Sequence, residues 1–182
     1  MKGHPLYPAS CALMISCICF ISNPAQAQTQ TGNETVNQLD KQGKKQGLWI
    51  EQGGIKEIYY RDGLKEGVFK SYFRKDGKLE ALGSYKHGML AGDWYYFDEL
   101  GCLLMIEQAI TLNATVKVDR GDGTLVTPSY SSYYKGYYKN GMLKEEGRAL
   151  YSESIELGDY VKQGPWKYYD EGGKLVKEEN HK

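Results

Sequence analysis

Gly83-Ser-Tyr-Lys-His-Gly88-Met-Leu-Ala-Gly92-Asp-Trp94-Tyr-Tyr-Phe97-Asp-Glu-Leu-Gly101-Cys-Leu103 reads as a strand, a glycine-flanked turn, an aromatic strand, a second turn and the start of another strand. Gly88 and Gly92 lie four apart and supply the positive-φ positions a tight connection needs. Trp94, Tyr95, Tyr96 and Phe97 suit a pleated, half-buried strand. The stretch predicts a β-hairpin, and its pattern recurs along the chain.

The first phrase, Gly-x-x-x-Gly-x-aromatic, appears as Gly43 to Trp49, Gly63 to Phe69 and Gly88 to Trp94. A worn copy runs from Tyr160 to Trp166, with Tyr160 in the first glycine slot. Successive copies are offset by 20, 25 and 72 residues, and periods in the twenties indicate a repeat architecture. A second phrase follows: an aromatic pair, a polar turn with Gly, then Leu. It occurs at Tyr72 to Leu79, Tyr96 to Leu103, Tyr137 to Leu143 and Tyr168 to Leu175, the last with Gly172 as the turn glycine. Asp76-Gly77 and Asn140-Gly141 predict type I′ turns.

Strand periodicity separates two sets of aromatics. Trp49, Phe69, Trp94 and Trp166 stand two residues after the second glycine; Tyr72, Phe97 and Tyr169 stand five after it. The odd separation places the sets on opposite faces of a sheet. One set is expected to form the core. The other, with Tyr95, is a candidate binding surface: Tyr72, Tyr95, Phe97 and Tyr169.

Between the third and fourth copies, about 104–134, the pattern lapses. Ile110 to Val118 alternates well enough for a strand, a turn follows from Asp119 to Gly123, and Thr124 to Thr127 reads as its return, giving an inserted hairpin. A helix from Asp98 to Ile110 competes locally, against Gly101 in its first turns.

The N-terminus has its own character. Lys2 precedes an apolar run from Cys11 to Ile21, and Ala25-Gln-Ala27 is a small-x-small cleavage pattern, so residues 1–27 read as a secretory signal peptide. Residues 28–40 are polar and read as a flexible spacer, leaving 41–182 as the repeat domain. Without the signal, 22 basic residues face 23 acidic ones, so charge offers nucleic acid no general attraction, and no integral membrane segment is left. Cys102 is then the one cysteine, read as a small buried strand residue and not a catalytic thiol.

Candidate chemistry is sparse. His87 reads as a solvated turn histidine, and His181 lies next to the C-terminal residue. The Asp119 to Gly123 stretch lacks the acidic spacing of a calcium loop, Ser129 to Ser132 lacks a nucleophile elbow, and Lys44-Lys45, Lys174 and Lys177 read as solvated strand residues. No catalytic residue, metal ligand or cofactor site is expected.

The linked phrases resemble the bacterial variant of the MORN repeat, with a Gly-x-x-x-Gly-x-Trp core followed by Tyr-Tyr, a turn with Gly, and Leu-Lys-Glu. The resemblance covers Gly43 to Leu103 and Tyr137 to Leu175; Phe69 replaces Trp and Gln52 replaces an aromatic. It implies an all-β fold of repeated antiparallel hairpins in an elongated, twisted open sheet, and a scaffold or interaction role. Some relatives carry an antitoxin label, which an export signal opposes. The expectation is an exported, non-enzymatic module in the periplasm or cell envelope that binds another protein. An antitoxin or immunity role, or a module whose aromatics bind a glycan, is the alternative.

Overall fold

The computed structural model describes residues 35–119, 123–152 and 160–181. They lie in one compact unit, Glu34–Lys182; the unit Met1–Asn33, and with it the expected signal peptide, falls outside the described residues. The protein is all-β, and no helix among the described residues is long and apolar enough to cross a membrane.

The strands are β1 (Gln38–Leu39), β2 (Lys45–Glu51), β3 (Lys56–Arg61), β4 (Leu64–Tyr72), β5 (Leu79–Lys86), β6 (Met89–Phe97), β7 (Leu103–Leu112), β8 (Val118–Asp119), β9 (Leu125–Val126), β10 (Tyr130–Tyr137), β11 (Leu143–Tyr151), β12 (Val161–Tyr169) and β13 (Leu175–His181). Eleven form one open antiparallel sheet in the order β1-β2-β3-β4-β5-β6-β7-β10-β11-β12-β13, while β8 and β9 pair separately.

The insertion is smaller than the sequence suggests. The strand expected over Ile110 to Val118 is split: Ile110–Leu112 end β7, which pairs with β6 and β10 as an ordinary member of the sheet, and Val118 begins β8, which pairs with β9 inside the expected return as a short hairpin of its own. β7 also replaces the competing helix. Only residues 113–129 leave the sheet, and Asn113 clasps their base: its N–H donates to Ser129 O and its Nδ2 to Val116 O and Pro128 O, all at 2.9 Å. The expected spacer is also partly ordered. Asn37 Oδ1 accepts from Ile50 N at 2.8 Å, and β1 pairs with β2.

The turn types are reassigned. Type I′ turns do occur, but at Asp62-Gly63 and His87-Gly88, where both central residues have positive φ (52° and 82°, 51° and 84°) and the flanking pairs Arg61↔Leu64 and Lys86↔Met89 close two-residue loops. At Asn140-Gly141 only the glycine is left-handed, in a three-residue loop closed by Tyr138 N→Met142 O. Asp76-Gly77 lies in a longer loop closed by Phe73 N→Lys78 O.

The three-residue loop recurs around Gly43, Gly101 and Gly173. Asp40, Asp98 and Asp170 pin those loops by accepting two backbone N–H groups each, a bond pattern that competes with straight strand. Gly43 therefore serves the second phrase, and Gly173 holds the role assigned to Gly172.

Successive hairpins are stitched by a repeated bond. Gly63 N donates to Lys45 O at 3.0 Å, and Gly88 N donates to Lys65 O at 2.8 Å. The second glycines of β4, β6 and β12 occupy bulges that insert two extra residues into the strand, which only positive φ permits at those points.

Tyr72 and Tyr169 of the second aromatic set fall on the face opposite the first, whereas Phe97, after a register shift at the end of β6, borders the packed face. On the packed face a cross-strand row runs Trp49, Ile58, Phe69, Gly83 with Trp94 laid over it, Glu107, Tyr134, Gly147, Trp166 and Glu179. Phe69 and Trp94 stack at 5.1 Å, as do Tyr134 and Tyr160 at 4.7 Å. The opposite face carries the row Glu57, Lys70, Leu82, Tyr95, Ile106, Lys135, Glu146, Lys167 and Glu178. Its ends alternate in charge and its middle is apolar, consistent with one wetted face.

Candidate functional site

Beside the aromatic row on the packed face runs a second one: Glu51, Lys56, Ser71, Ala81, Tyr96 and Met105. Ser71 and Ala81 are small where their neighbours are large. Above them opens a groove of about 740 Å³ spanning β2 to β7, with Lys56 and Lys65 toward one side, Tyr85 and Tyr96 on the walls, and Phe73 and Glu80 near the β4–β5 turn. Trp94 anchors the wall, edge-on to Tyr85 at 5.2 Å and roughly parallel to Tyr96 at 6.3 Å. Burial, with some help from Tyr130 and Tyr60, pushes the Tyr85 hydroxyl up to about 12, so it stays a neutral donor at physiological pH.

Lysines two residues before the second glycine complete this face. Lys45 Nζ lies 4.3 Å from the Trp49 ring centre and 4.6 Å from that of Tyr60, and bonds Glu51 Oε1 at 2.5 Å. Lys162 repeats the arrangement over Trp166 (4.3 Å) and Tyr168 (4.8 Å), bonding Glu145 Oε2 at 2.5 Å. Lys65 lies 4.7 Å over Tyr85. Cation–π attraction and a carboxylate hold the first two ammonium groups in place. In the third repeat Leu90 takes the position and packs on the core.

Lys65 differs from its counterparts, because no carboxylate lies within ion-pair distance of it among the described residues. Burial lowers its affinity for its proton, Lys56 and Lys45 lower it further, and Glu51 opposes them. The sequence signal for this feature was present as Lys-x-Gly-x-aromatic. It went unread because a lysine beside acids on a strand looks solvated; Lys45 is half-buried and departs from that expectation, whereas Lys177 is exposed as expected, its ammonium 5.4 Å over the Tyr168 ring.

The aromatics nominated from sequence all lie half-buried. Tyr72 Oη donates to Glu57 Oε1 at 2.9 Å and Tyr169 Oη to Glu146 Oε1 at 2.7 Å, which places both on the face opposite Trp94. Tyr95 is flanked there by Leu82 and Ile106, whereas Phe97, paired with Leu103 at the end of β6, lines the groove on the packed face. The structure brings Tyr95 into an apolar centre and leaves Tyr72 and Tyr169 toward either end of the sheet. Single Tyr95→Ser, Phe97→Ser and Tyr169→Ser variants are expected to stay folded, each costing about 1–2 kcal/mol. Loss of the cooperative melt in all three would assign them to the core instead.

His87 is exposed in its turn, while His181 is half-buried, with Nε2 3.1 Å from Tyr168 Oη and its ring edge-on to Trp166 at 6.2 Å. Cys102 is half-buried in the turn before β7, where Asp98 Oδ1 accepts its N–H, and is not a buried strand residue. The Asp119 to Gly123 loop lies partly outside the described residues. Among those described, no three His, Cys, Asp or Glu side chains are grouped to hold a metal ion.

One polar cluster had no sequence signal. Glu107 is 0% exposed in the middle of the packed face; neither carboxyl oxygen, nor Tyr151 Oη, nor Ser132 Oγ completes a well-formed hydrogen bond. Burial pushes the Glu107 carboxyl up to about 8, with the adjacent Tyr151 hydroxyl pulling weakly the other way. Searches of protein families and of curated proteins return no match to the chain.

Proposed function

We propose that this protein is an exported, non-enzymatic binding module built from MORN-like hairpin repeats, acting by surface contact with another macromolecule in the periplasm or cell envelope. The groove over Ser71 and Ala81 carries the reading: it is open, walled by aromatic rings and fringed by charged side chains, the make-up of a recognition surface. The rigid sheet beneath it supplies a pre-formed site, which reduces the ordering cost of binding. The export signal at residues 1–27 supports the envelope address and weighs against an antitoxin that must meet its toxin in the cytoplasm.

A second surface has its own support. Leu82, Tyr95 and Ile106 adjoin on the opposite face and form an apolar centre between alternating charges. That centre suits a protein partner.

Photo-crosslinking in the native host separates the two. A photoreactive residue at Phe73 is expected to yield one discrete adduct, and the same residue at exposed Tyr133 none. An adduct from a Tyr95 replacement but not from Phe73 would move the contact to the opposite face. Fractionation with mass spectrometry of the mature N-terminus tests the address: a species beginning at Gln28 in the envelope supports export, and intact Met1 in the cytoplasm overturns it.

A further inference from the structure

The geometry points to the Lys56–Lys65 side of the groove as an anion subsite that takes the carboxylate of an acidic saccharide, whose ring lies against the wall formed by Tyr85 and Tyr96. This rests on the groove being the binding site. Three observations carry it.

The first is charge. Lys45, Lys56 and Lys65 gather near Glu51, whose carboxylate is already engaged by Lys45 and by Tyr60 Oη at 3.1 Å. Lys56 and Lys65 are left without ion-pair partners among the described residues, and both line the groove. A partly buried ammonium such as that of Lys65, whose one nearby carboxylate is shared with Lys45, gains from a bound anion.

The second is the remainder of the lining. Glu80, Asp98 and Glu99 also border the groove, so a densely charged polyanion would be repelled. A ligand whose carboxylates are spaced a sugar ring apart among many hydroxyls meets acceptors there and a cation at the other side. Ser71 Oγ already donates to Glu80 Oε2 at 3.1 Å, fixing that carboxylate in place.

The third is the floor. It is a sheet face whose backbone groups are spent on the neighbouring strands β3 to β6, so an extended peptide would find no ladder to join. A sugar ring needs only side-chain partners and an aromatic wall for its apolar face.

The test is calorimetric titration of the full mature chain with trigalacturonate, its methyl ester and a triglutamate peptide. Trigalacturonate is expected to bind, and the neutral ester at least about tenfold more weakly, the size of one charge-assisted contact. Lys65→Gln should impose a similar loss and Lys65→Arg should restore binding, with unchanged melting temperatures showing that all variants are folded. Equal binding of acid and ester, no binding of either sugar, or Lys65-dependent binding of triglutamate alone would each overturn the saccharide subsite. Persistence of the Phe73 adduct in those cases would show that the groove reading stands and only the ligand class has failed.

Discussion

Gly83→Ala is expected to unfold the domain or come close to it. The backbone at Gly83 would accept a side chain, but a Cβ there would sit 2.1 Å from Trp94 Cδ2, and the contact is with an indole that cannot rotate away. Trp94 is 4% exposed, stacked on Phe69 and tied through Nε1 to Ser84 O at 3.1 Å. Overpacking of a fixed aromatic by one methyl costs about 1–3 kcal/mol where the core can shift, and more where it cannot. Gly147→Ala meets the same obstacle under Trp166, at 2.5 Å, with Nε1 of that indole bonded to Arg148 O. Urea melts of the two variants check this; a midpoint within 0.5 M of the parent (about 1 kcal/mol at usual slopes) would refute it.

Glu107→Gln should stabilise the protein at neutral and alkaline pH. In the unfolded chain this carboxyl ionises near 4.5, whereas in the native sheet it holds its proton up to about 8. A raised acid contributes most below the unfolded value, and that contribution is lost as pH climbs through 4.5 toward 8. Each unit of separation is worth about 1.4 kcal/mol, so the loss across the window is of the order of 3–5 kcal/mol. Thermal melts of the parent should therefore fall between pH 5 and pH 8.5 more steeply than those of Glu107→Gln. Parallel curves would show that Glu107 ionises normally and that its surroundings open to water.

The repeat, its hairpins and the opposite placement of Trp94 and Tyr72 were legible in the sequence because each depends on spacing, and spacing is what glycine and strand alternation write down. Turn types were less legible. Asp62-Gly63 and Asp76-Gly77 share a dipeptide, yet only the former forms a two-residue turn, since the latter is flanked by Phe73 and Lys78, which close a longer loop.

The extent of β7 was missed because its residues keep the strand pattern after the repeat phrase ends. Burial of Glu107 could not be read at all. It faces inward because it is cross-strand from Trp94 and Tyr134, a register bounded by the bulge at Ala109 of β7 and set by pairing with a strand that follows the excursion. The lysines over Trp49 and Trp166 were legible in principle, as a third fixed position in the repeat.

The excursion between β7 and β10 has a consequence for how such a chain can change. Because the two strands pair directly and Asn113 ties the neck shut, the sheet is indifferent to how much sequence hangs outside it. Lengthening a closed loop adds only about 0.6 kcal/mol per doubling. The neck is thus a port at which foreign segments, up to a whole small domain, can be installed or removed without rewriting a single strand pairing.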